Sequence, residues 1–143
     1  MAKKMCKPMV KRMFISLTLG ALFGLLCAYF ASTNTLDPNF WGSAVMWSIF
    51  FNRFVIGFVV ALAGFIVVHP LLNIRMYPVC RGACAGFLVS LSLAFGAYST
   101  GGEQANIIFW GSIVSGMIYG LIIDLVATKV AGEGETLLPG TQK

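Results

Sequence analysis

Charge is what this sequence has least of. Only 10% of its 143 residues are Asp, Glu, Lys or Arg, against roughly 25% in soluble domains, and that scarcity excludes water as the main solvent of the chain. Histidine is nearly missing too, with His69 the single example. There is no carboxylate pair, nucleophile elbow, phosphate loop or close match to a structural-zinc spacing. The residues therefore offer no basis for an enzyme, a cofactor or a metal site, and a non-enzymatic protein is expected.

In place of charge there is apolar length. The chain is 58% hydrophobic with a mean hydropathy of +0.85. Stretches 14–31, 40–68, 82–98 and 107–127 each approach the roughly 20 apolar residues that cross a hydrocarbon core of about 30 Å. This pattern predicts an all-α fold, a polytopic transmembrane four-helix bundle over 14–130. A basic cytoplasmic segment precedes it at 1–13 and a flexible cytoplasmic tail follows at 131–143. Because 40–68 exceeds one crossing, an interfacial 40–51 with a span starting near Phe54 is the alternative for that stretch.

The formal charge of +5 is placed by topology rather than by a nucleic-acid partner. Lys3, Lys4, Lys7, Lys11 and Arg12 precede the first span, Arg75 and Arg81 separate the second from the third, and Lys129 and Lys143 follow the fourth. The connections 32–39 and 99–106 carry no Lys or Arg and hold Asp37 and Glu103. Both termini are thus expected in the cytoplasm, with the chain in the cell (inner, cytoplasmic) membrane. Such a basic face also attracts anionic lipid, by about 1 kcal/mol per Lys or Arg near the surface. The first span is expected to be retained: it is longer than a signal-peptide core, and bulky Tyr29 occupies the −3 position of the best cleavage site, after Ala31.

Cys6, Cys80 and Cys84, with His69, could be imagined as a zinc site, but their ligands would come from three segments, and small buried residues are the better reading. Met5, Met9 and Met13 recur at helical spacing among Lys and Arg, as on the apolar side of a short basic helix at the membrane surface.

Phe40-Trp41-Gly42-Ser43 recurs as Phe109-Trp110-Gly111-Ser112, each time at the entry of a span. The chain therefore reads as two tandem helical hairpins, a parallel repeat. Small residues also recur in steps of four: Ser16, Gly20, Gly24, Ala28 and Ser32; Gly82, Gly86, Ser90 and Ala94; Ser112, Gly116, Gly120, Asp124 and Thr128; and a shorter row, Arg53, Gly57 and Ala61. Residues four apart share a helix face, and small ones there let backbones approach in lipid.

Arg53 lies twelve residues past Trp41 and Asp124 fourteen past Trp110. At 1.5 Å per residue both then fall about 18–21 Å in, near mid-membrane and about one turn apart. An unpaired Arg there costs from about 3 to more than 10 kcal/mol. The expectation is an Arg53–Asp124 ion pair joining spans two and four, with Asn52 and Tyr119 as extra hydrogen-bond partners.

The run Asn52-Arg53-Phe54-Val55-Ile56-Gly57-Phe58, with Arg81-Gly82-Ala83, Gly86, Ser90-Leu91 and Tyr119-Gly120-Leu121-Ile122-Ile123-Asp124, resembles a loose group of small four-span prokaryotic membrane proteins. The resemblance implies a fold and a location, and no activity. Fluoride channels are similar in size and also carry an Asn in the second span, but their phenylalanine- and threonine-rich third-span break is missing from 86–94. Small multidrug exporters need a first-span acid, which 14–31 lacks. The leading expectation is a structural or accessory subunit that assembles through its Gly/Ala/Ser stripes with itself or another membrane protein. The alternative is a small oligomeric transporter or channel using Arg53 and Asp124.

Overall fold

Four helices carry the fold: α1 (Lys7–Asn34), α2 (Ala44–Ala63), α3 (Pro78–Ser99) and α4 (Ala105–Ala131). They belong to a computed structural model that describes residues 7–34, 38–69, 71, 73–102 and 104–137. Each is long and apolar enough to cross a membrane, so the chain is an all-α, multi-pass integral membrane protein built as a four-helix bundle. Lys3, Lys4, Met5, Cys6, Asp37, Glu103 and Lys143 lie outside the described residues.

Local chemistry sets the helix ends. Phe40–Gly42 forms a 3-10 turn, and Ser43, extended at its backbone, accepts the Met46 N–H at 3.2 Å to cap α2. Pro78 opens α3, where its missing N–H is no loss, and Tyr77 before it is extended. Gly132 closes α4 at φ 84°, a conformation that favours glycine. The α2–α3 connection folds back on itself through the bridge between Val68 and Arg75. Since α2 runs unbroken from Ala44 to Ala63, Arg53 stands in mid-helix, and 40–51 is not a separate interfacial element.

Two helix pairs make the closest contacts. On α1, Ser16, Gly20, Gly24 and Ala28 are all buried. A Cβ built at Gly20 would stand 2.9 Å from the Arg53 carbonyl oxygen and 3.2 Å from the Gly57 Cα, and one at Gly24 would stand 2.9 Å from the Phe50 carbonyl oxygen. On α3 and α4, Gly82 faces Gly120, and Gly86 faces Gly116 and Gly120; a Cβ at Gly120 would approach the Gly86 Cα to 3.0 Å. Hairpin α1–α2 therefore packs backbone to backbone, as does α3–α4, and the small-residue faces are consumed inside the chain. Gly96 and Gly111, by contrast, face open space. Large side chains point outward instead, with Phe14, Leu88, Ile107 and Trp110 all exposed, as suits a protein whose solvent is lipid.

Three further readings change. Lys7 to Met13 are the first turns of α1 rather than a separate surface helix. Cys80 and Cys84 are exposed on α3, not buried. The segment after α4, expected to be a loose tail, folds back as far as Leu137: the Gly134 N–H donates to the Gly64 carbonyl at 2.8 Å, and Leu137 is buried.

Candidate functional site

Two polar centres lie inside the bundle, and each touches all four helices. The first surrounds Arg53, which is 3% exposed. Its Nη1 donates to Asn52 Oδ1 at 3.0 Å and to Ser90 Oγ at 2.9 Å. Nη2 donates to Ser115 Oγ at 2.7 Å and to the Ser112 carbonyl at 3.4 Å, and Nε reaches Cys27 Sγ at 3.5 Å. The guanidinium lies 5.5 Å from the Tyr119 ring centroid, and that ring stacks on Phe23 with centroids 4.5 Å apart. All five donors are thus used, every acceptor is neutral, and among the described residues no carboxylate forms an ion pair with Arg53.

The second centre surrounds Asp124, which is fully buried. Arg81 grips it bidentately, Nε to Oδ2 at 2.7 Å and Nη2 to Oδ1 at 2.9 Å. Arg12 Nη2 donates to the same Oδ1. Thr128 Oγ1 accepts from Arg12 at 3.0 Å and from Arg81 at 3.2 Å, and donates to Asp124 at 3.2 Å. Arg12 also covers carbonyls at two helix ends, Ala61 at 3.3 Å on α2 and Gly132 at 2.8 Å beyond α4. Beyond the helix, Glu133 meets Arg81 at 3.0 Å and exposed Arg75 at 3.8 Å. Its two buried arginines are matched by two acids, Asp124 and Glu133, with exposed Arg75 at the rim. Gly64 makes room for it, since a Cβ there would collide with the Arg12 guanidinium.

The expected Arg53–Asp124 pair is therefore not formed. Arg53 is level with Ser112 and Ser115, and Asp124 lies nine to twelve residues, roughly 14–18 Å, further along α4. The reason is that the two tryptophans are not equivalent depth markers. Trp41 sits in a 3-10 turn ahead of α2, whereas Trp110 is already inside α4, which begins at Ala105. Asn52 and Tyr119 do attend Arg53, as the sequence suggested. Sequence reasoning missed Arg12, Arg81 and Glu133 as members of the second centre. The signal for Arg12 was present, because it continues the row Ser16, Gly20, Gly24, Ala28 by one step of four.

Beside Arg53 lies a cavity of about 990 Å³ between α2, α3 and α4, at the upper end of the roughly 300–1,000 Å³ of small-molecule sites. It runs from the α3–α4 connection at Gly101 and Gly102 past Asn52 and Ser112 to Val55, and its walls include Ile49, Leu93 and Ile108. Asn52 and Ser112 are both direct partners of Arg53, so the cation stands immediately behind the cavity wall. The ionic centre around Asp124 closes the opposite end of the bundle. Comparison with family models, curated proteins and solved structures finds no match.

Proposed function

We propose that this protein is a non-enzymatic membrane protein that binds an anion beside Arg53 and serves its passage across the membrane. The observation that carries this reading is a buried arginine with no acidic partner among the described residues, placed behind the wall of a cavity that lies toward one end of the bundle. An arginine stays charged in any protein environment, and a cation inside the membrane without a counter-charge is costly. A bound anion would supply the missing charge. In this reading Asp124, held between Arg12 and Arg81, is part of a closed gate rather than of the binding site.

The basic end of the bundle faces the cytoplasm in this proposal, both termini included, and anionic lipid gathers there. The cavity then lies in the outer half of the bundle. Four helices enclose little private space, so the working form is a homo-oligomer. A place in the loose group of small four-span prokaryotic membrane proteins is part of the same proposal.

A structural role is the second reading, and the complete set of hydrogen bonds around Arg53 favours it. Purified protein in liposomes separates the two. Uptake or binding of small anions above that of protein-free vesicles, lost on Arg53→Gln in protein that remains folded, is the expected result. Wild-type protein that neither binds nor moves any anion tested would leave Arg53 as a structural tie alone.

A further inference from the structure

We propose that the cavity beside Arg53 takes a single-chain amphipathic monocarboxylate, with its head on Asn52 and Ser112 and its alkyl chain along Ile49, Leu93 and Ile108. The inference rests on the anion-site reading above and names the ligand class of that site.

Charge sets the first limit. Arg53 contributes one positive charge that no carboxylate among the described residues neutralises. A monoanion cancels it, whereas a dianion would leave a negative charge in surroundings that cannot solvate it. Donor count sets the second. Asn52 Nδ2 donates one hydrogen to the Val89 carbonyl at 3.0 Å, which leaves its second hydrogen for a ligand. Ser112, which also lines the cavity, carries the other donor in its hydroxyl. Two donors match the two oxygens of a carboxylate, and the Arg53 guanidinium polarises the Asn52 amide through its Oδ1.

The walls set the third limit. Ile49, Leu93 and Ile108 offer an inorganic anion nothing, but each alkyl methylene moved from water against them raises affinity, referred to the free aqueous ligand, by about fourfold. Gly96 lines the same cavity, and nothing stands within 4 Å of a Cβ built there. The cavity is bordered by exposed Phe51 on α2 and exposed Val55 one turn deeper, so its mouth lies on the lipid-facing surface. An amphiphile already dissolved in the bilayer can enter there.

The test is equilibrium binding of radiolabelled acetate, butyrate, octanoate and decanoate, with chloride and decanol as comparisons, to full-length protein in nanodiscs after subtraction of empty discs. Affinity is expected to rise several-fold with each lengthening of the chain, and decanoate to bind at least tenfold more tightly than decanol. Arg53→Gln and Gly96→Leu should each weaken decanoate at least tenfold. The first removes the charge, and the second fills the cavity where the fold has open space. If Arg53→Gln fails to fold, Gly96→Leu and the decanol comparison decide alone. Chloride and acetate binding as well as decanoate would overturn the ligand class while the anion site stands. No anion binding at all would overturn both. Decanol equal to decanoate, or Gly96→Leu without effect, would show the cavity to be an ordinary lipid-filled crevice and overturn the inference.

Discussion

Arg81 holds both carboxylate oxygens of Asp124, at 2.7 and 2.9 Å, and so ties the first turn of α3 to the last third of α4. Both side chains are buried, and removal of one partner leaves the other charged without compensation. Arg81→Leu and Asp124→Leu should each cost about 3–5 kcal/mol. In a double-mutant cycle the pair should couple by about 0.5–3 kcal/mol, with full recovery withheld because Arg12 loses its partner as well. Thermal denaturation in detergent reads this directly.

Arg53 and Asp124 belong to different centres, and their effects on stability should be independent. The combined Arg53→Leu, Asp124→Leu variant should lose the sum of the two single losses to within about 0.5 kcal/mol. A larger coupling would mean that the two centres communicate.

Arg53→Lys keeps the charge and loses the reach. An ammonium presents its donors from one atom, whereas the guanidinium spreads five over three nitrogens, enough to meet Cys27, Asn52, Ser90, Ser112 and Ser115. A loss of about 1–3 kcal/mol is expected from the abandoned hydroxyl and carbonyl partners. Stability equal to wild type in a melt would mean that these bonds hold nothing together.

Glycines divide by what faces them. Gly86→Leu and Gly120→Leu push a branched side chain into the backbone of the opposite helix, and each should cost about 1–3 kcal/mol or more. Gly111→Leu is the control, since nothing stands within 4 Å of a Cβ there, and it should leave the melting temperature unchanged.

Leu137 is 2% exposed although it lies beyond the last transmembrane helix. Leu137→Ala should cost about 2–3 kcal/mol if its packing is that of a core residue. An unchanged melt would return the segment after α4 to the status of a tail.

Orientation is open to direct measurement. Single cysteines at Asn34 and Gly102, in a background without the native thiols, should react with an impermeant reagent from the outside only. Labelling from the cytoplasmic side would invert the bundle.

Composition and spacing determined more of this protein than its lack of motifs would suggest. Apolar length alone is enough to define four crossings, because a hydrocarbon core of fixed thickness accepts only helices of about that length. The steps of four determined which faces turn inward: the rows through Gly20 and Gly24, through Gly82 and Gly86, and through Gly116 and Gly120 are the buried ones. Which charges meet was decided only by the tertiary structure. Register along a helix is exact in sequence, but relative depth between helices depends on where each begins. The same Phe-Trp-Gly-Ser tetrapeptide is a 3-10 turn before α2 and an internal turn of α4. That offset carries Asp124 away from Arg53 and down to Arg12 and Arg81, and it leaves Arg53 among hydroxyls behind the wall of a cavity that no spacing in the sequence foretells.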